Sequence, residues 1–372
     1  MAVLRVGTRT SALALAQAQA IAADIVAAAG LSGFQIVGIT TKGDVNRQPL
    51  HEVGGSGLFT GAVRAALLAG ECDVVVHSSK DLPAADHAEL EIAYPRRENP
   101  ADVFYGHMPF AQLPRGARVG TGSPRRAVQL AAVRPDVQIV PIRGNVPTRL
   151  ARIEQDLDGV ILARAGLNRL GIEGGEDLSV EDFVPAAGQG ALGVEAVKGG
   201  WAAAAISLVA DELTEREVAA ERAFMAAIGA GCTTPVGVLG RAHAVGLTLH
   251  GRYLGGADFS QSDVDTLSLQ QRRTGNTPSE LHASHELGEG QLHAHPSPVA
   301  ASMVVDIRVQ AASSAAAAAE LAARFRDAGV GAVLGSAMAV PKAAAVPKAV
   351  AVPGLGALTK PQSDGDLQRV VL

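Results

Sequence analysis

The sequence predicts an α/β protein: two layered domains of similar size, followed by a smaller α+β domain. Three observations carry this. Short aliphatic strands alternate with helices from Leu4 onward, the alternation restarts near Ala117, and the texture changes at Glu215 to one long helix and then antiparallel-looking strands. Strand–helix alternation implies a mostly parallel sheet with helices on its faces. A chain of 372 residues accommodates two or three domains.

The elements follow in order. Leu4–Thr8 reads as a strand and Ser11–Ala29 as an alanine-rich helix starting at a serine cap. Phe34–Thr41 is the next strand and Leu58–Ala69 a helix. Asp73–His77 is a short strand of continuous valines, the pattern of a strand buried on both faces. The second round has a strand at Ala117–Gly120, a helix over Pro124–Val133 opened by Ser123, a strand at Val137–Pro141, a helix over Val146–Gln155 and a strand at Gly159–Ala163. Ala191–Ala196 is strand-like and returns the chain to the first domain. A third domain opens with the helix Arg216–Ile228 and continues with strands at Val236–Arg241, Leu247–Leu254 and Met303–Val309 and a helix at Ser314–Ala328. The expected division is 1–95 with 193–214, then 96–192, then 215–338 with a polar insertion at about 255–299. Residues 339–372 repeat Ala-Val-Pro and read as a disordered tail.

Composition narrows the function classes. Hydrophobic residues at 48% and charged residues at 19% support a large core. Aromatics at 3% leave few platforms for base stacking, which argues against a single-stranded nucleic-acid binder. Net charge is −5, yet Arg115–Arg152 holds eight arginines against the single acid Asp136, a local +7 that suggests an anion site. Two cysteines make neither a disulfide framework nor a zinc site. The N-terminal MAVLRVGTRTSALAL lacks the apolar core of a signal peptide, and polar residues interrupt the alanine-rich stretches, so no membrane span and a cytosolic location are expected.

Ligands of open α/β sheets gather at the carboxyl ends of strands. Thr8–Ser11, Thr121–Arg126 and Arg143–Arg149 occupy such strand-to-helix junctions, where freed backbone N–H groups and a helix N-terminus favour an anion. A lone arginine there is ordinarily a solvated helix-face charge. Arg9, Arg125, Arg126, Arg143 and Arg149 together point to a ligand rich in carboxylate or phosphate. Asp81, in His77-Ser-Ser-Lys-Asp-Leu-Pro83, is a candidate acid to protonate a leaving amine or stabilise a cation; the alternatives are a surface pair with Lys80 or a cap. Cys232, in Gly-Ala-Gly-Cys-Thr-Thr-Pro, is a candidate nucleophile or else a small residue in a tight turn. Cys72 before the valine strand reads as structural. The histidines at 282, 285, 293 and 295 read as solvated rather than metal-binding, and no metal site is expected.

Ten segments in order resemble hydroxymethylbilane synthase, the porphobilinogen deaminase family, over about Leu4–Ala328 apart from the insertion. They are VGTRTSALALAQA, TTKGD, GGSGLF, VVVHSSKDLP, VGTGSPRR, IRGNVPTRL, GVILARAGLNRLG, PAAGQGALGVE, ERAF and GAGCTTPVG. The resemblance implies two periplasmic-binding-protein-like α/β domains around a cleft plus a small α+β C-terminal domain, in a monomeric transferase of tetrapyrrole and haem biosynthesis. It implies a dipyrromethane cofactor on Cys232 through a thioether. Four porphobilinogen units would be added head to tail with loss of ammonia, and water would release the tetrapyrrole. Asp81 would assist deamination and steady an azafulvene-like intermediate. Lys80, Thr121, Ser123, Arg125, Arg126, Arg143, Gln189 and Gly190 match positions around the cofactor; Arg9, Ser11, Arg149 and Arg169 match substrate-carboxylate positions. Ser56 stands where many members carry lysine and Asn99 where an aspartate is usual. Two other classes stay open: a non-catalytic anion-binding protein of the same fold, which needs neither Cys232 nor Asp81, and a DNA-binding factor using the arginine stretch, which predicts steep salt dependence.

Overall fold

The computed structural model describes residues 2–41, 60–83, 85–231, 234–255, 303–328 and 330. Cys232, Ser56, the four insertion histidines, most of the insertion and the tail lie outside them.

The first sheet contains β1 (Val3–Arg9), β2 (Gly33–Ile39), β3 (Val74–Ser78), β4 (Leu90–Ala93) and β10 (Leu192–Val197), in the order β2-β1-β3-β10-β4. Valines of β3 alternate faces, as a strand buried on both sides must. Val74 and Val76 meet α1 (Ala12–Ala29) through Ala18, Ile21, Ala22 and Ile25, whereas Val75 meets α2 (Gly61–Leu68) through Val63 and Leu67. Ser11 caps α1 by accepting from the Ala14 N–H, and Gly30 ends it in the left-handed conformation.

The second sheet contains β5 (Asp102–Gly106), β6 (Arg118–Thr121), β7 (Gln138–Pro141), β8 (Gly159–Ala163) and β9 (Glu176–Asp177), in the order β7-β6-β8-β5-β9. One face packs on α3 (Pro124–Val133) through Ala127 and Leu130. The other buries Val103, Val160 and Leu162 with Ile153, Leu157 and Leu167. The short helices α4 (Val146–Leu150) and α5 (Arg164–Arg169) lie toward that second face.

Two expectations change. The sheets are mixed rather than mostly parallel. In each, four strands share one direction and the fifth runs against them, giving two parallel and two antiparallel pairings: β10 is antiparallel to β3 and β4, and β5 is antiparallel to β8 and β9. The reversed strand is in both cases the one delivered by a crossing from the other domain: β5 follows the segment 94–101, and β10 follows 185–191. The helix expected over Val146–Gln155 stops at Leu150. Its continuation tightens into turns in which the Arg152 carbonyl accepts from the Gln155, Asp156 and Leu157 N–H groups at 3.0–3.1 Å. That turn brings both Ile153 and Leu157 into the core.

After α6 (Trp201–Ser207), α7 (Glu212–Ala227) opens the third domain. Its antiparallel sheet β11-β12-β13 (Val236–His243, Gly246–Gly255, Met303–Ala311) is covered by α7 and α8 (Ser314–Asp327). Phe224 and Phe325 meet edge to face at 4.9 Å in this core. Buried Glu221 of α7 ties the domain to both crossings: it accepts from the Arg97 guanidinium at 2.7 Å and from the Gly188 N–H at 2.6 Å.

By length and hydropathy α1 passes the test for a membrane span, contrary to the sequence expectation. Ile21 and Ile25 nonetheless pack in the core of the first sheet, and Asp24 is exposed.

Candidate active site

The two α/β domains enclose a cavity of about 80 Å³, several times the roughly 10–15 Å³ that one water needs. The first domain contributes Leu13 and Gln17 of α1, Ser78 at the end of β3, and Lys80. The second contributes Arg126, Arg149, Arg169 and an apolar wall that includes Val146, Leu162 and Ala165. Gly188, Gly190 and Ala191 of the return crossing close it. Among the described residues, four cations and no carboxylate line this space.

Each cation is placed by local structure. The valine strand β3 runs into a single 3-10 turn, Ser79–Asp81, which swings Lys80 inward; the Ser79 N–H donates to the Ala191 carbonyl at 3.0 Å. The turn sits so close to the return crossing that a Cβ on Gly188 would lie 2.4 Å from Ser79 Oγ. Glycine is required there on a second count, since Gly188 has φ +69°. Lys80 makes no hydrogen bond among the described residues. Burial and the nearby Arg126 charge push its ammonium down to about 8, against a smaller upward pull from Asp81. Arg149 leaves α4 with its Nε on the Gly144 carbonyl at 2.8 Å; burial, with Arg126 and Arg143 beside it, lowers it to about 10. Arg169, at the end of α5, donates to the Gly190 carbonyl at 2.6 Å. Its pKa is lowered by burial, with Glu98 opposing. Lys80, Arg149 and Arg169 are held below their ordinary values, an arrangement that an incoming polyanion relieves.

A family model described as "Porphobilinogen deaminase, dipyromethane cofactor binding domain" matches residues 4–204. A second, "Porphobilinogen deaminase, C-terminal domain", matches 215–282. Porphobilinogen deaminase 1 of Streptomyces coelicolor is 45% identical over 302 residues, covering 78% of this chain and 93% of that protein. The chain belongs to the porphobilinogen deaminase family. The enzyme of that name from Acidothermus cellulolyticus is 49% identical over 252 residues, 64% of this chain and 76% of its own. Among solved structures, the L-cystine solute receptor of Neisseria gonorrhoeae aligns with 62% of this chain and 94% of its own at 16% identity and a TM-score of 0.33. At that score the architecture rests on the strand orders above.

Within this porphobilinogen deaminase fold the residues singled out in the sequence divide into three groups. Lys80, Arg126, Arg149, Arg169 and Gly190 line the cavity. Asp81 follows Lys80 on the same turn, half-buried and without a hydrogen bond or ion pair among the described residues. Arg143 is exposed at the next junction, close enough to Arg149 to lower its pKa. The others have structural partners in this conformation. Ser11, Ser123 and Thr121 serve turns: Ser11 and Ser123 are N-caps of α1 and α3, and buried Thr121 Oγ1 accepts from the Ser123 N–H at 3.2 Å. Arg9 is half-buried at the end of β1 and does not line the cavity.

Arg125 and Gln189, expected around the cofactor, do not line the cavity. Both are buried behind the cavity wall. Arg125 holds Asp102 at 2.8 Å and the Val184 carbonyl at 2.7 Å, and Gln189 Nε2 holds the Pro100 carbonyl and Asp102, each at 2.8 Å. The local +7 is likewise offset by Asp102 and Asp156, which lie outside the stretch, while Asp136 pairs within it. Arg125 and Arg126 pair with Asp102, Arg118 and Arg152 with Asp156, and Arg134 with Asp136. Sequence reasoning missed Asp102, although a lone carboxylate opening the apolar strand DVFYG signals a buried charge with a partner. It also left Gln17 unassigned; Gln17 and Ser78 hydroxyl and amide groups hydrogen-bond at 3.2 Å across the cavity floor.

The donor set fits a dipyrromethane. Its carboxylate side chains match the lining cations, its rings match the apolar wall, and two glycines let backbone approach closely. Lys80, Arg126, Arg149 and Arg169 would hold it.

Proposed function

We propose that the chain is a hydroxymethylbilane synthase that joins four porphobilinogen molecules head to tail, releasing ammonia at each addition and finally the linear tetrapyrrole. The observation that carries this is the cation-lined cavity between the two domains with Asp81 on the turn that presents Lys80. When bound through Cys232, the dipyrromethane supplies the free ring carbon to which the first unit is joined.

The residues of the chain divide the work as follows. Lys80, Arg149 and Arg169 bind carboxylates; each charge-assisted hydrogen bond contributes roughly 1.5–3 kcal/mol. They orient each incoming ring so that its aminomethyl carbon faces the end of the chain. Asp81 holds the proton that leaves with the amine as the C–N bond breaks. As carboxylate it then stabilises the positive charge left on the ring and accepts the proton lost when the new C–C bond forms. Clustered cations also offset the charge that accumulates with every added ring.

The reading takes the protein as a cytosolic monomer without nucleic-acid or membrane partners. The buried thiol of Cys72, pushed up to about 12 by its burial, supports Cys232 as the reactive sulfur. The test is porphobilinogen consumption by wild type and Asp81→Ala. Wild type should turn over and the folded variant should lose at least about a hundredfold, within the range of general acid–base catalysis. Equal rates would refute the role of Asp81, and an inactive wild type that binds porphobilinogen unchanged would favour a non-catalytic anion binder.

A further inference from the structure

We infer that Asp102 is the positioning residue of the site: it acts through Arg126, fixing that guanidinium so that one N–H is left to the ligand. The inference rests on the proposed synthase reading and deepens it.

Asp102 opens β5, immediately after the first crossing, and is fully buried. Its Oδ1 accepts from Arg126 Nε at 2.9 Å, Arg126 Nη2 at 2.7 Å and Gln189 Nε2 at 2.8 Å. Arg125 takes Oδ2 at 2.8 Å and Oδ1 at 3.2 Å. Burial alone would raise the carboxyl, but the two guanidiniums overcome it and hold the pKa well below the ordinary carboxylate range. Asp102 is therefore an anion wherever the enzyme works.

The donor count then decides what Arg126 can offer. A guanidinium has five N–H groups. Nε–H goes to Asp102, Nη2 serves Asp102 and the Gln189 Oε1 at 3.3 Å, and Nη1 gives one N–H to the Ile161 carbonyl at 3.2 Å. One N–H of Nη1 remains, and Arg126 lines the cavity. Arg126 thus cannot fork a carboxylate as a free arginine does; it presents a single donor in a fixed direction, backed by a full charge. Arg125 has a complementary task. It shares Asp102 and closes on the Val184 carbonyl, so that two like charges lie side by side without repelling the carboxylate's partner out of place.

Neutralising Asp102 should leave the cavity in place but let the Arg126 fork rotate. The experiment measures kcat and KM for porphobilinogen in Asp102→Asn, Arg126→Gln and the double variant, all loaded with primer, with circular dichroism as the folding control. Asp102→Asn should lose at least about thirtyfold in kcat/KM, and adding it to Arg126→Gln should cost less than about threefold more, because both changes remove the same contact. Independent, multiplicative losses would overturn the inference, as would Asp102→Asn activity within threefold of wild type. Should Asp102→Asn not fold, Gln189→Met provides the test. It keeps volume, removes the third support of the Asp102–Arg126 pair and adds no charge. A KM increase of about fivefold or more that disappears in the Arg126→Gln background supports the inference, and an unchanged KM or an equal increase in both backgrounds refutes it. Failure of the wild type to consume porphobilinogen would instead refute the synthase reading.

Discussion

Lys80 is a cation that the fold holds at a cost, and replacing it should trade activity for stability. The unfolded chain keeps this ammonium charged up to about pH 10.5, whereas the cavity lowers it to about 8 through burial and the Arg126 charge. At about 1.4 kcal/mol per pKa unit, that difference has a ceiling of roughly 3.5 kcal/mol; because Lys80 is only half-buried, screening reduces it to about 1–2 kcal/mol. The sign follows from proton counting. Between pH 8 and 10.5 the unfolded state binds more protons, so the folded protein gains stability as pH rises through that window, and the full penalty applies below it. The perturbation is Lys80→Met in a Cys232→Ser background, where no primer is attached to pair with the ammonium. Thermal midpoints at pH 7 and pH 10 are the readout. At pH 7 the Met variant should melt higher by a few degrees, at roughly 2–4 °C per kcal/mol, and by pH 10 most of that gain should be gone. A Met variant that melts lower at pH 7, or a gain that is the same at both pH values, would refute the electrostatic reasoning.

Other expectations follow from the same geometry. Gly190 has φ +89° and a Cβ there would sit 2.4 Å from the Glu98 carbonyl, so Gly190→Ala should destabilise by about 2–4 kcal/mol, read as a lowered denaturant midpoint. Glu195 is buried; burial raises its carboxyl, but His77 and Arg64, the latter at 2.6 Å, bring it down to about 2. Its contribution is complete above about pH 4.5 and lost as pH falls toward 2, so Glu195→Gln should flatten acid unfolding over that range while costing about 3–5 kcal/mol at neutral pH. Arg149→Ala should raise the KM for porphobilinogen at least about tenfold with little change in melting temperature, since among the described residues its side chain holds only the Gly144 carbonyl of its own loop.

The alternation of strands and helices was legible because burial on both faces leaves a plain mark, such as the Val74–Val75–Val76 run, and because Ser11 and Ser123 are caps with a physical task. What stayed hidden was long-range. No local pattern says that β10 and β5 enter their sheets reversed, because their direction is set by the crossings at 94–101 and 185–191. Charge showed the same limit. Eight arginines in one stretch suggested an open anion site, yet several are claimed by Asp102 and Asp156, which lie outside that stretch or pair back within it. Arg125 and Arg126 are neighbours of one type at one helix start; only the fold separates the one facing the cavity from the one locked behind it. Lys80 was assigned through the resemblance of the HSSKDLP segment; its residues alone left a surface pair with Asp81 open.

The account stands on a pyrrole primer held covalently by Cys232 against the cluster of Lys80, Arg126, Arg149 and Arg169. Intact-mass measurement of the purified protein tests this most directly. Wild type should exceed its sequence mass by one dipyrromethane, and Cys232→Ser should match its own. A wild-type chain at bare sequence mass, unchanged after incubation with porphobilinogen, would contradict it.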